Sequence, residues 1–129
     1  MTKGRAMSVI PAPEAPTHDL GGTRFTSLAT PSRGSSETAV WQVEIEPGVL
    51  ATPHSLTREE VFVVLAGRAE VRIGQAIGVA EPGDAIVVPK DTEFALSNTG
   101  TAVLRLLCCL PVGGMARLGD ESFTRPWAE

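Results

Sequence analysis

The chain is 129 residues long, 43% hydrophobic and 20% charged, which suits one packed domain, is too short for two ordinary ones, and excludes wholesale disorder. Its 11 Lys and Arg against 15 Asp and Glu give a net charge of −4 with the basic residues scattered, so the electrostatic footprint of a nucleic-acid binder is missing. No stretch reaches the roughly 20 apolar residues of a membrane span, no continuous apolar core of a secretory signal opens the chain, and a cytoplasmic protein is expected.

Along the chain, residues 1–20 read as a flexible arm, because Pro11, Pro13 and Pro16 among small residues resist regular structure. A short strand is expected from Arg24 to Ala29, then a loop over Pro31-Ser32-Arg33-Gly34-Ser35-Ser36. From Thr38 to Glu46 the residues alternate, with Trp41, Val43 and Ile45 on one face and Gln42, Glu44 and Glu46 on the other. That is a half-buried strand ended by Pro47-Gly48. Further strands are expected over Glu60–Leu65, Ala69–Ile73, Ala85–Val88, Glu93–Ser97 and Val103–Leu110, with turns at Gly74, Gly78, Pro82-Gly83-Asp84 and Asn98-Thr99-Gly100. If Arg105 faces solvent, Leu104, Leu106 and Cys108 turn inward and Leu107 and Cys109 form an apolar outer face. The adjacent cysteines then point apart and read as free thiols. Short strands separated by turn residues, with no amphipathic helix, predict an all-β sandwich or barrel. The chain divides into the arm, a barrel over residues 21–112 and a tail over residues 113–129 that packs on the barrel or on a partner subunit.

Gly48, His54, Glu60 and Gly67 fall at four of the five anchors of the first cupin motif, G-x5-H-x-H-x3-E-x6-G; Leu56 stands at the second histidine. Pro82-Gly83-Asp84, Pro89 and Asn98 resemble the second motif, with Phe94 in place of its histidine and Asp91 where glycine is usual. The sequence therefore resembles the cupin superfamily. The resemblance implies a double-stranded β-helix barrel, usually dimeric, whose interior in typical members holds a divalent metal through three histidines and a glutamate. Here Leu56 and Phe94 take two of those four places. His54 and Glu60 alone would bind a divalent ion weakly, so the expected cofactor is none or a weakly bound divalent metal.

If Glu60 points into the barrel, Phe62 and Val64 do too, and Phe94 brings Leu96 with it. Trp41, Val43, Leu56, Phe62, Val64, Phe94, Leu96 and Cys108 are thus the candidate lining of an apolar pocket for a small molecule. His54 and Glu60 are the candidate acid–base pair, with desolvation able to bring a carboxyl pKa toward neutrality. The readings to be weighed are proton-transfer chemistry such as isomerisation or cyclisation on an apolar or aromatic ligand, a metal-dependent dioxygenase with an unusual ligand set, and a non-catalytic binding or sensor module. The expected partners are a small-molecule ligand and a second copy of the chain.

Overall fold

The computed structural model describes residues 8–129; the part of the expected arm before Ser8 lies outside the described residues. Twelve strands follow in order: β1 (His18–Leu20), β2 (Thr23–Ala29), β3 (Thr38–Ile45), β4 (Ser55–Leu56), β5 (Glu60–Ala66), β6 (Ala69–Ile73), β7 (Ala76–Ala80), β8 (Ala85–Val88), β9 (Phe94–Asn98), β10 (Leu104–Pro111), β11 (Ala116–Leu118) and β12 (Glu121–Phe123). The remaining regular pieces are 3-10 turns at Pro31–Arg33 and Pro126–Ala128. No helix among the described residues is long and apolar enough to cross a membrane.

All strand pairs are antiparallel. One sheet runs β1-β2-β3-β10-β5-β8, and facing it are two three-stranded sheets, β12-β11-β4 and β7-β6-β9. These two join where His54 pairs with Phe94, through backbone hydrogen bonds of 3.1 and 2.8 Å in the two directions. The result is a double-stranded β-helix barrel.

Period-two alternation sends one side of each strand into the space between the sheets. On β10, Leu104, Leu106, Cys108 and Leu110 are buried while Leu107 and Cys109 are half-buried on the outside. Arg105 faces out and meets Glu44 at 3.0 Å. Trp41, Val64, Val88 and Leu56 are almost wholly buried in the same core, each large side chain contributing about 1.5–3 kcal/mol by leaving water.

Two backbone positions explain the motif spacing. Gly67 ends β5 at φ +83°, and a Cβ there would lie 2.7 Å from the Val103 carbonyl oxygen, so only glycine lets β5 turn under the start of β10. Asp91 has φ 60°, the left-handed region that glycine usually fills and that Asp tolerates better than most residues. Its carboxylate is held 2.6 Å from Arg117 on β11. Asn98 is a structural pin: its amide donates to the carbonyls of Ile45 and Ala102 at 2.8 and 2.9 Å and accepts from the Gly100 N–H at 3.0 Å.

One local expectation fails. Gly78 makes no turn; it lies inside β7, opposite Val71. Four of the five β7 residues are exposed, Ile77 and Val79 among them, so this edge strand carries no polar alternation to mark it. In the tail, β11 and β12 form a hairpin that pairs with β4. The arm is tied down as well: His18–Leu20 pairs with β2, and Arg33 donates to the Pro11 carbonyl at 2.7 Å.

Candidate functional site

The inner faces of β2, β3, β5 and β9, the loop after β3 and the tail enclose a cavity of about 360 Å³, within the range of small-molecule sites. Its wall is apolar, built from Phe25, Val43, Ile45, Phe62, Phe94, Leu96 and Trp127, with Leu20, Leu50, Leu118 and Phe123 around it. Polar side chains are few: His54, Arg125, Thr23 and Thr52.

Of the sequence candidates, Val43, His54, Phe62, Phe94 and Leu96 meet on this wall. Trp41, Leu56, Val64 and Cys108 are buried in the filled part of the barrel instead and do not line the cavity. Glu60 is also off the cavity wall. It forms no hydrogen bond with His54, so the two do not make a direct acid–base pair.

His54 follows the loop that begins at Pro47, and its ring lies 4.6 Å from that of Phe94. Its Nδ1 is 2.8 Å from the Thr52 carbonyl oxygen, which can only accept. Nδ1 therefore carries the proton, and Nε2 is the basic nitrogen. Burial holds the imidazole pKa below its ordinary value; the Thr52 carbonyl opposes that shift and the Arg125 cation reinforces it. The result is a neutral histidine on a greasy wall.

Glu60 opens β5 and has no exposed surface. Its Oε1 accepts from Arg125 Nη2 at 2.9 Å, and the guanidinium lies over the Trp41 ring at 5.1 Å. Arg125 is itself 8% exposed. Burial pushes the Glu60 carboxyl up from its ordinary value, and the ion pair with Arg125 pulls the other way without reversing the shift. Burial and the nearby Glu60 raise the Cys108 thiol well above its ordinary pKa, so Cys108 is a small buried thiol and not a thiolate ligand.

The residues do not fit the metal of typical cupins. Leu56 and Phe94 offer no donor, and Glu60 is already neutralised by a guanidinium whose charge would repel a divalent cation at the same place. Among the described residues no group of three His, Cys, Asp or Glu side chains converges on one point.

Sequence reasoning missed Arg125, Phe25 and Trp127. Trp127 stacks on Phe25 with centroids 3.7 Å apart and planes 9° from parallel, and its carbonyl accepts from Ser27 at 2.8 Å. The tail thus closes one side of the cavity and delivers Arg125 to Glu60. One signal was available: a glutamate forced inward beside Phe62 and Val64, without the other donors of a metal site, needs a counter-charge somewhere in the chain. Arg125, flanked closely by Phe123 and Trp127, is a basic residue with the apolar escort to supply it.

The fold and the cavity define the class of this protein: a small single-barrel β-helix domain with an interior pocket. The family model of the cupin domain matches residues 41–110, and the chain belongs to the cupin domain family. The uncharacterized protein MJ1618 of Methanocaldococcus jannaschii is 32% identical over 53 residues, 41% of this chain and 42% of that protein; the match thus spans less than half the length of that relative. Among solved structures, KdgF from Halomonas sp. is 23% identical with a TM-score of 0.62, covering 80% of this chain and 90% of its own. A cupin superfamily protein from Desulfitobacterium hafniense is 15% identical, TM-score 0.61, with 74% and 82% covered. Vicilin from Corylus avellana is 20% identical, TM-score 0.69, with 81% of this chain and 34% of vicilin covered. These likenesses concern the fold, which hosts many activities.

Proposed function

We propose that this cupin domain binds a small apolar or aromatic organic molecule in its barrel cavity, and that His54 is the acid–base group of a proton-transfer reaction such as an isomerisation or cyclisation. The observation that carries the reading is the aromatic cavity of about 360 Å³ with a neutral imidazole on its wall, whose Nδ1 is fixed by Thr52. A fixed imidazole on an apolar wall is suited to moving a proton on a bound ligand. Glu60 does not contact the ligand in this reading; it holds Arg125.

The test is a screen of small aromatic and aliphatic compounds by ligand-observed NMR, on wild type and on His54→Gln, followed by solvent-deuterium exchange into any ligand found. Binding retained in both proteins, with deuterium incorporation in wild type alone, is the expected result. Binding without exchange in either protein would make the domain a sensor or carrier, and no binding at all would remove the cavity as the site of function.

The same proposal includes a second copy of the chain as partner. Val61, Val63, Val87, Leu107 and Cys109 adjoin one another on the outer face of β5, β8 and β10. This uncharged patch can meet its own copy about a two-fold axis without burying an unpaired charge.

A further inference from the structure

Four buried side-chain polar atoms among the described residues lack a hydrogen-bond partner: Ser35 Oγ, Glu60 Oε2, Arg125 Nε and Trp127 Nε1. Three of them therefore sit on the Glu60–Arg125 pair and on the indole that closes the cavity, and two of those are N–H donors belonging to cavity-wall residues. Buried donors are nearly always satisfied in folded proteins, so two unpartnered ones on residues that border the cavity mark a place short of an acceptor. Among the described residues the guanidinium donates one hydrogen bond, to Glu60; four of its five N–H groups remain.

From this arrangement we infer that Arg125 is an anion anchor, and that the ligand is a monocarboxylic acid with an apolar aliphatic or aromatic body, bound carboxylate-first against Arg125. The inference rests on the reading of the cavity as a small-molecule site. A single charge fits best, because Arg125 is the one cationic side chain on the wall among the described residues and Glu60 stands behind it; a phosphate dianion would find too little positive charge. The rest of the cavity matches an apolar body. Phe25, Phe62 and Phe94 line it, and Leu50, 90% exposed, with the exposed Leu20 and Leu118, gives its wall an apolar outer margin. Burial already raises the Glu60 carboxyl pKa against the pull of Arg125, and a second anion on the same guanidinium would act in the same direction as burial.

Matched acids and alcohols test this directly: hexanoate against 1-hexanol, octanoate against 1-octanol, and 4-phenylbutyrate against 4-phenylbutan-1-ol, each titrated calorimetrically into the full chain. The expected result is that the acids bind about tenfold or more tighter than alcohols of the same skeleton, the preference conferred by a charge-assisted hydrogen bond. In Glu60→Gln/Arg125→Gln, which removes both charges together so that neither is stranded, the preference should vanish, each acid binding no tighter than its matched alcohol. Equal affinity of acid and alcohol in wild type, which needs no variant, would overturn the anchor and leave the cavity reading intact. So would an acid preference that survives in the double variant. Failure of every acid and every alcohol to bind wild type would instead overturn the cavity reading beneath it.

Discussion

Glu60 and Arg125 lie 65 residues apart in sequence and meet in the barrel interior, with side chains 0% and 10% exposed. A buried pair of this kind adds little compared with apolar packing, yet losing one member strands the other. Arg125→Ala should therefore lower unfolding free energy by about 3–5 kcal/mol, and Glu60→Gln/Arg125→Gln should recover most of it; urea denaturation monitored by tryptophan fluorescence measures both. An Arg125→Ala protein with an unchanged midpoint would show that the pair is not closed in solution. At His54 the expected proton NMR titration midpoint lies below the ordinary 6.5. A depressed folded-state pKa contributes stability that is present above pH 6.5 and lost as pH falls through the folded value. Wild type should accordingly lose more stability than His54→Gln on acidification below 6.5. Glu60 works in the opposite sense: its raised folded-state pKa gives a contribution present below about 4.5 and lost as pH rises through the folded value.

At the scale of elements, the strands that could be read from sequence are those with one buried and one polar or solvent-facing side. Trp41, Val43 and Ile45 against Gln42, Glu44 and Glu46 mark β3 to within a residue of its observed end, and Arg105 sets the inward register of β10. β7 was obscured because Ala76 to Val79 are all exposed, and β11 and β12 because three-residue strands carry too few positions for a period to show. The site was half legible for a related reason. Alternation places Phe62 and Phe94 inward, but whether an inward residue faces the hollow or the filled part of the barrel depends on the tail, whose path no local pattern encodes. Trp41 illustrates this: it faces inward as expected, and its ring is covered by Arg125. The turn between β9 and β10 provides an element-scale prediction. Asn98→Ala removes three hydrogen bonds from a residue 4% exposed and should cost about 2–3 kcal/mol, read as a lower midpoint in thermal or urea unfolding. A change under about 0.5 kcal/mol would mean that the strand ends hold without the pin.

For the whole molecule, the outer patch of β5, β8 and β10 sets the proposed assembly. Sedimentation velocity should find a dimer of the wild-type chain, and Val63→Glu/Leu107→Arg should sediment as a folded monomer, because both side chains point away from the barrel interior. A wild-type monomer at high concentration would remove the self-pairing proposal without touching the cavity.

The barrel wall is uneven in a way that bears on how a ligand could be detected. One sheet is continuous across six strands, whereas the opposite wall is closed between β4 and β9 by the isolated His54–Phe94 pair, with a further backbone hydrogen bond from Asp91 to Leu56. Backbone amides on so short a ladder exchange with solvent through local openings well before those of a central strand such as β10. Both residues also present their side chains to the cavity. Their two amides are therefore a native occupancy gauge: hydrogen–deuterium exchange at His54 and Phe94 should slow when the cavity fills, whatever molecule fills it.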